Sequence, residues 1–319
     1  MGGRQALGCG GLPRRHRPAH RGLCVGEQGD ARHGPHCRPP PGGGAVEQPE
    51  RCGTGGGVSA CPASAEQLRA TFDLAGRTAF VTGGASGLGQ LSALGLAAFG
   101  ADVVLCDLDG NDTYRTASQV AVETGRRCVG WQLDVTDAGQ VEDVVARVED
   151  EVGAIDICVN SAGINHRELA ADLAVDDFRR VLDVNLVGTF QCAQAVGRRM
   201  VARRSGKVIN LASVLGLTGA THQAAYASSK GAVIQLTKVL AMEWVSHNVQ
   251  VNALAPAHVA TPLTDELTPE LRQRALERIP QHRFAESHEI VAPVVFLASR
   301  ASDFVTGSTL PFDGGWTAA

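Results

Sequence analysis

The chain contains 319 residues, of which 44% are hydrophobic, and its formal net charge at pH 7 is −4. This charge balance offers no basic patch of the kind that nucleic-acid binding requires, so we predict no nucleic-acid partner. No apolar run approaches the ~20 residues that a membrane-spanning helix needs, and we therefore predict a soluble protein with no membrane partner.

The first 70 residues differ in composition from the rest of the chain. They are rich in glycine, arginine, proline and cysteine and have no hydrophobic periodicity of the helical or the strand type. Such a segment cannot bury enough apolar surface to offset the entropy of ordering, so residues 1–70 are predicted to be a disordered extension. Transit peptides are also arginine-rich, but the acidic residues, glycines and prolines here oppose an amphipathic helix. We therefore favour a spurious or non-conserved extension over a transit peptide.

The nine cysteines are divided between this extension and the remaining chain, and none of them forms a C-x-x-C pair. Four fall in predicted strands or helices: Cys106, Cys128, Cys158 and Cys192. Without metal-ligand spacing we predict no metal site and interpret these four as small core residues in a reducing compartment. The predicted location is therefore the cytoplasm.

Residues 71–319 alternate strand-like apolar runs with helical segments. The strand-like runs, in chain order, are RTAFV, ADVVLCD, CVGWQLD, IDICVN, GKVINLAS, VQVNALAP and STLPFDGG. Alternation at this spacing predicts a parallel sheet, and the continuous apolar character of several runs fits strands buried on both faces. The predicted fold class is α/β, with a single Rossmann-type doubly wound sheet of seven mostly parallel strands and helices on both faces.

The first strand-like run leads into a glycine-rich turn, AFVTGGASGLGQL, between Ala79 and Leu91. Gly83, Gly87 and Gly89 have the spacing that permits a tight turn, close approach of the backbone to a pyrophosphate and close packing of the next helix. The N-terminus of that helix would offer N–H groups and a positive dipole to the phosphates. A glycine run alone is weak evidence, but the strand before it and the helix after it meet the condition for a dinucleotide site.

The second strand-like run ends at Asp107, which lies 24 positions after Gly83. A carboxylate at about this spacing accepts hydrogen bonds from the adenosine ribose and repels a 2′-phosphate. No arginine or lysine stands in the glycine loop or directly after Asp107 to bind such a phosphate. The predicted cofactor is therefore NAD; a loop or cap role for Asp107 is the alternative.

The run YASSK places Tyr226 four positions before Lys230, and Ser213 lies thirteen positions before Tyr226. On a helix, residues i and i+4 share a face, so the Lys230 ammonium is expected near the Tyr226 hydroxyl. A nearby cation lowers the pKa of a phenol, and we expect the cation and a bound ligand together to bring the pKa of Tyr226 toward neutrality. Tyr226 could then act as a proton donor or acceptor near pH 7.

In this order the motifs resemble those of the short-chain dehydrogenase/reductase family, from near Phe72 to the C-terminus. The family's N-N-A-G strand end reads N-S-A-G here, with Ser161 replacing an asparagine, and its P-G motif reads P-A, with Ala257 replacing the glycine. The resemblance implies four catalytic residues: Asn185, Ser213, Tyr226 and Lys230. It also implies a cofactor-binding set: Gly83, Ser86, Gly87, Leu88, Gly89, Asp107, Asp134, Val135, Asn160, Ala162, Gly163, Tyr226, Lys230, Pro256, Val259 and Thr261.

The implied reaction is hydride transfer between NAD(H) and a secondary alcohol or its ketone. Ser213 would hydrogen-bond the reacting oxygen and Tyr226 would exchange a proton with it. Lys230 would also hold the nicotinamide ribose, and Asn185 would anchor a water that links Lys230 to solvent. Because alanine loses the positive φ open to glycine, we expect the turn at Ala257 to differ slightly from that of relatives.

The positions that line the substrate side in relatives are mostly polar here. They are Asn165, His166, Arg167, Leu215, His222, Gln223 and His258. This polarity favours a hydroxylated or carboxylated small molecule. The runs FDGGWTAA and MEWVSHNVQVNALAP are also similar to those of family members acting on sugar acids and polyols, such as gluconate and deoxygluconate dehydrogenases. We therefore predict a polyol or sugar-acid dehydrogenase.

Two other functions stay open. A 3-oxoacyl-[acyl-carrier-protein] reductase-like ketoreductase would want NADPH and a basic docking patch, which Asp107 and the acidic balance oppose. A non-catalytic NAD-binding scaffold is opposed by the intact Ser213, Tyr226 and Lys230.

Two expectations concern larger features. Residues 262–283 have charged helical character between prolines and are predicted to form a mobile lid that excludes water. Relatives imply a homotetramer or homodimer formed by the helices at 176–204 and 226–247, whose apolar stripes could instead be intramolecular core.

Overall fold

The computed structural model describes residues 64–261, 264 and 267–319. Most of the predicted extension, residues 1–63, lies outside this range. Residues 65–70 depart from the predicted disorder, because they form a helix, α1 (Ala65–Ala70). Its capping box explains the helix: the Ser64 hydroxyl accepts from the Gln67 N–H, and the Gln67 side chain accepts from the Ser64 N–H.

The remaining elements alternate as the sequence predicts. The strands are β1 (Thr78–Thr82), β2 (Asp102–Asp107), β3 (Cys128–Gln132), β4 (Ile155–Asn160), β5 (Gly206–Leu211), β6 (Val249–Pro256) and β7 (Thr309–Phe312). The helices are α2 (Gly87–Ala98), α3 (Gly110–Thr124), α4 (Ala138–Glu151), α5 (Val175–Leu182), α6 (Thr189–Arg203), α7 (Ala224–Trp244), α8 (Pro269–Arg278) and α9 (Val291–Ala298). A π-helical segment, Asp183–Gly188, joins α5 to α6.

The seven strands form one sheet in the order β3-β2-β1-β4-β5-β6-β7, and every neighbouring pair is parallel. This confirms the predicted doubly wound α/β fold. The chain order reverses between β1 and β4, so the crevice at their carboxyl ends is where such folds bind ligands.

Alternation along the strands divides the core between two faces of the sheet. Phe80 belongs to the cluster formed with α4, α6 and α7, whereas its neighbour Val81 belongs to the cluster formed with α2, α3 and α9. Both side chains are fully buried, as expected of a strand covered on both faces.

Three of the four cysteines in the folded domain are buried in the α4/α6/α7 cluster, and all four are free thiols. Burial raises the pKa of Cys192 to about 12 and that of Cys128 to about 11. These groups stay protonated near neutral pH, which confirms their interpretation as packing residues.

The segment predicted to form a lid contains α8, although residues 262, 263, 265 and 266 lie outside the described range. Its mobility stays a prediction. Within the described part of the chain, no helix combines the length and apolarity needed to traverse a bilayer.

Candidate active site

The turn from β1 to α2 has the backbone geometry of a phosphate-binding loop. Gly83 has φ +66°, and a Cβ there would lie 2.7 Å from the Ala162 nitrogen. A Cβ on Gly89 would collide with the Gly83 carbonyl oxygen. Gly87 has φ +55° and faces open space, and no side chain caps the N-terminus of α2 at Ser86. Gly83 and Gly89 are therefore required by packing, and Gly87 leaves room for a ligand.

Asp107 lies at the end of β2 and faces this loop. Its carboxylate accepts from the Ala85 N–H at 3.0 Å and from the Leu108 N–H at 2.7 Å. The loop is braced a second time where the Thr116 hydroxyl donates to the Ala85 carbonyl at 3.0 Å. The acid thus stands beside the glycine turn, where the ribose of a dinucleotide would lie.

Asp134 and Val135 follow β3 at the same edge of the sheet. The Asp134 carboxylate accepts from the N–H and the hydroxyl of Thr136 at 2.9 and 2.7 Å, so it is engaged in its own turn. Val135 is buried, and a Cβ on Gly188 would lie 2.6 Å from it. Val135 therefore packs against the π-helical segment.

The end of β4 carries Asn160, the first residue of the N-S-A-G run. The Asn160 side chain is buried and donates to Asn210 Oδ1 at 2.9 Å, and Asn210 in turn donates to Thr237. This amide belongs to an internal hydrogen-bond chain and does not face the crevice. The next residues do reach the crevice, since the Thr82 hydroxyl accepts from the N–H groups of Ser161 and Ala162 at 3.2 and 3.3 Å.

Asn185 is fully buried and ties the end of β4 to α7. Its Oδ1 accepts from the Ile164 N–H at 2.8 Å, and its Nδ2 donates to the Ile164 carbonyl at 2.9 Å and to the Ser229 hydroxyl at 3.0 Å. A Cβ on Gly163 would lie 3.2 Å from Asn185 Oδ1 and 3.5 Å from Lys230 Nζ. The amide therefore fixes the loop beside the lysine through protein contacts.

Ser213, Tyr226 and Lys230 meet at the carboxyl end of β5. Ser213 follows that strand, and its hydroxyl accepts from the Leu215 N–H at 3.1 Å. Tyr226 and Lys230 lie on α7, with Lys230 Nζ 5.8 Å from the Tyr226 ring centroid. Lys230 is buried and donates to the Leu211 carbonyl at 2.7 Å. The predicted shared helix face is confirmed.

The predicted pKa shift of Tyr226 is wrong for the protein without a bound ligand. Burial raises the pKa of the Tyr226 phenol, although the Ser213 hydroxyl and the Arg167 charge lower it in part. Burial also lowers the pKa of Lys230 to about 8. The two effects have one cause: a desolvated site disfavours the charged form of both groups.

Across the crevice, β6 ends at Pro256 and the chain turns away in extended form. Ala257 donates its N–H to the Phe312 carbonyl at 3.0 Å, and Val259 pairs with Ala285. Ala257 is not among the non-glycine residues with positive φ in the described chain, so this turn forms without the backbone conformation that a glycine would permit. The Thr261 N–H donates to Thr264 Oγ1 at 3.0 Å.

Apart from Leu215, which lies in the turn after Ser213, the residues expected on the substrate side lie in three segments. The loop after β4, with Asn165, His166 and Arg167, pairs with the start of α7 through a bridge between Glu168 and Gln223. In the second segment His222 is exposed at φ +62°, whereas Gln223 is buried with its Oε1 unpaired. In the third, His258 stacks on Phe284 at 5.0 Å.

Arg167 connects these segments electrostatically. Its charge lowers the pKa of both Tyr226 and His258, although burial is the larger effect on each. The net pKa of His258 is lowered, so its imidazole is neutral near pH 7. The ion pairs among the described residues do not include Arg167. Arg167 is therefore a cation near the phenol that has no ion-pair partner among the residues the structure describes.

A cavity of about 350 Å³ opens beside the crevice at the carboxyl ends of β6 and β7. Ala257, His258 and Arg283 line it, together with the C-terminal segment at 311–315. It borders the substrate side at His258 but does not include Tyr226. Sequence reasoning missed Phe284 and Trp316, whose rings lie 5.0 and 6.0 Å from the His258 ring, because their distance along the chain from the predicted catalytic motifs hides their proximity.

Three comparisons with known proteins bear on this geometry. The profile of a family described as enoyl-(acyl carrier protein) reductase matches residues 83–317. A 2-dehydro-3-deoxy-D-gluconate 5-dehydrogenase of Bacillus subtilis is 40% identical over 78% of this chain and 98% of its own length. The chain belongs to the short-chain dehydrogenase/reductase family.

Other members of the short-chain dehydrogenase/reductase family match over a similar span. A 3-oxoacyl-[acyl-carrier-protein] reductase of Thermotoga maritima is 37% identical over 76% of this chain and 98% of its own. A gluconate 5-dehydrogenase from Burkholderia cenocepacia, solved with NADP and tartrate, has a TM-score of 0.75 at 39% identity, over 78% of this chain and 98% of its own. This short-chain dehydrogenase/reductase is thus an NAD(P)-dependent oxidoreductase that acts on CH–OH donors.

Proposed function

We propose that this enzyme transfers a hydride between NAD(H) and a secondary alcohol, or its ketone, in a sugar acid or polyol. The observation that supports the chemistry is the convergence of Ser213, Tyr226 and Lys230 at the carboxyl end of β5. The open space at Gly87 and the uncapped start of α2 fit a dinucleotide pyrophosphate. When bound, the nicotinamide supplies or takes up the hydride.

In oxidation, the chain's own groups manage the oxygen and its proton. Ser213 holds the reacting oxygen by a hydrogen bond, and Tyr226 removes its proton as the carbonyl forms. The raised pKa of Tyr226 has to fall for this step, and an ammonium moved toward the phenol would lower it. Lys230 is suited to that movement, because its donor group is held by a single backbone carbonyl in the free protein.

The substrate class is inferred from Arg167. A guanidinium without an anionic partner among the described residues, close enough to act on Tyr226 and His258, suits a substrate carboxylate. The neutral imidazole of His258 and the other polar side chains on the substrate side suit the hydroxyl groups of a substrate. A long acyl chain finds little apolar surface here.

Steady-state turnover followed by NADH absorbance tests this proposal with three substrate groups: six-carbon sugar acids, the matching neutral polyols, and 3-oxoacyl thioesters. We expect sugar acids to have the highest kcat/KM. Arg167→Met should raise KM for the acid about 10-fold while leaving the polyol nearly unchanged, because only the acid loses an ion pair. A preference for 3-oxoacyl thioesters would support the ketoreductase alternative, and no turnover at all would support the scaffold alternative.

The preference for NAD over NADP is a proposal that is supported by Asp107. Its carboxylate at the glycine turn would repel a 2′-phosphate. We expect kcat/KM to be higher with NAD than with NADP. Asp107→Ser should lower the ratio of the two kcat/KM values at least 10-fold. Asp109→Ser is the matched control, because it removes a nearby carboxylate while serine can still cap α3. A wild-type preference for NADP would overturn the assignment.

We also propose that the enzyme is a cytoplasmic homotetramer or homodimer. Support for an assembly comes from exposed apolar side chains on the helical segments named above, Val187, Phe190, Val239 and Met242, and from the fully exposed Phe304. The buried free thiols are consistent with a reducing compartment. Light scattering should give a mass of two or four chains, and Met242→Glu should reduce it. A wild-type monomer at micromolar concentration would refute the assembly.

A further inference from the structure

The C-terminal segment that follows β7 is fixed against α8 by backbone geometry. The Gln281 N–H donates to the Gly314 carbonyl at 3.1 Å, and a Cβ on Gly314 would lie 2.7 Å from Ile279. The Asp313 carboxylate accepts from the N–H and hydroxyl of Thr317 at 2.8 and 2.6 Å. Gly314 and Gly315 both have positive φ. These restraints hold Trp316 in one place.

Trp316 is buried in a small apolar cluster at the edge of the active site. The other buried members are Val214, Ala275, Ile279 and Phe284. Val214 directly follows Ser213, and Ala275 lies on α8. The cluster therefore joins the turn after the catalytic serine to the helix of the predicted lid.

Three polar or aromatic contacts fix the indole within this cluster. Its Nε1 lies 3.4 Å from the Thr218 hydroxyl, which donates in turn to the Val214 carbonyl at 3.0 Å. The Arg278 guanidinium, at the end of α8, lies 4.2 Å from the ring centroid. The His258 ring lies 6.0 Å away at a tilt of 55°. The Trp316 side chain thus contacts His258, the end of α8 and the turn after Ser213.

We propose that Trp316 is a positioning residue for substrate: it fixes His258 and α8 relative to the turn after Ser213 and so sets the shape of the substrate side. It reaches neither the glycine loop nor Tyr226 in the described contacts. The effect should therefore appear in substrate binding, while dinucleotide binding is unchanged. This inference rests on the proposed function only for the identity of the substrate.

Steady-state kinetics of Trp316→Ala, Trp316→Phe and Thr218→Val test the proposal. Trp316→Ala should raise KM about 10-fold, with a smaller fall in kcat and with the Kd of NADH within twofold of wild type. Trp316→Phe and Thr218→Val keep most of the packing but lose the indole hydrogen bond, so a smaller rise in KM is expected from both. Since these two changes are conservative, they still test the proposal if Trp316→Ala does not fold.

Val148→Ala is the matched control, because it removes buried volume from α4 in the other core cluster. It should lower Tm without changing KM. Equal KM values for wild type and all three variants of the Trp316 contact would overturn the proposal, as would a rise in KM of equal size in Val148→Ala.

Amide hydrogen exchange separates this inference from the proposed function. Trp316→Ala should speed exchange in α8 and in residues 214–218, while α2 stays at the wild-type rate. If the wild type turns over no sugar acid or polyol, the proposed function fails and this measurement still decides the positioning role. Unchanged exchange in α8 would overturn that role.

Discussion

For single residues, burial affects the pKa values of the proposed catalytic pair, Tyr226 and Lys230, more strongly than their spacing along the helix does. Tyr226 and Lys230 share a face of α7, as their separation of four requires. Desolvation nevertheless raises the pKa of the phenol and lowers that of the ammonium. Near pH 7 the Tyr226 phenol therefore stays protonated, whereas Lys230, with a pKa of about 8, is still mostly charged, and the pKa of the phenol would have to fall for proton transfer.

Tyr226→Phe should lower kcat by about 10³-fold, because it removes the proton-transferring hydroxyl and keeps the ring. NADH affinity should stay within twofold of wild type. Stopped-flow turnover and fluorescence titration check the two values. Tyr114→Phe, at the other tyrosine of the chain and exposed on α3, is the control. Near-normal turnover of Tyr226→Phe would refute the assignment of the phenol.

Lys230 should make stability depend on pH in a defined direction. Its pKa of about 8 in the folded protein lies below its ordinary value of 10.5. Between these values the unfolded chain binds more protons, so the free energy of unfolding rises with pH. From pH 8 to 10.5, the free energy of unfolding of the wild type should rise by on the order of 2 kcal/mol relative to that of Lys230→Met.

Denaturant unfolding of both proteins over this pH range measures the difference. Lys238→Met, exposed on the same helix, is the control for loss of a lysine. A wild type that loses stability relative to Lys230→Met as the pH rises would contradict the burial of the ammonium.

At the element scale, helices are brought to the site by close contacts that glycine permits. Gly95 of α2 has no room for a side chain, since a Cβ there would collide with a γ-carbon of Val291 on α9. The contact fixes the helix whose N-terminus faces the glycine turn. On the other face of the sheet, the π-helical segment places Asn185 within hydrogen-bonding distance of Ile164 and Ser229.

Gly95→Ala should lower the free energy of unfolding by about 1–3 kcal/mol, because overpacking outweighs the gain of about 1 kcal/mol in helix propensity. In a Val291→Ala background the same substitution should be neutral or stabilising, since the obstructing γ-carbons are gone. Chemical denaturation of the four proteins in this cycle gives the coupling. Additive effects would show that the two helices do not meet at these residues.

At the scale of the whole molecule, the sheet places motifs from distant parts of the chain at one edge. The glycine turn follows β1, the N-S-A-G run follows β4, and Ser213 follows β5. These three strands are neighbours, so their carboxyl ends form one crevice. We propose that residues 71–319 are the NAD-binding domain and that residues 1–63 take no part in its catalysis.

Deletion of residues 1–63 should leave Tm and kcat/KM unchanged. A deletion extended through residue 75 removes Leu74, which is buried against α2 and donates its N–H to the Phe99 carbonyl at 2.9 Å. That longer deletion should lower Tm by several degrees. Calorimetry and NADH-linked turnover test both proteins. A loss of activity in the shorter deletion would give the N-terminal segment a role in the enzyme.

Local patterns in the sequence were enough to predict the order of strands and helices and the glycine turn, and together with the family resemblance they led to the proposed catalytic set. The local patterns are apolar runs, glycine spacing and residues four apart on a helix. The inward direction of the Asn160 side chain was not foreseen, because a motif position does not say which way a side chain points. The buried chain through Asn210 and Thr237 depends on how strands and helices pack.

Three features follow from the tertiary structure and not from local patterns. They are the pKa directions of Tyr226 and Lys230, the proximity of Arg167 to His258, and the position of Trp316. Desolvation is set by everything packed around a group, and Trp316 lies far along the chain from the turn at Thr218 that it contacts. Such quantities arise from contacts between distant segments, which no local pattern in the sequence encodes.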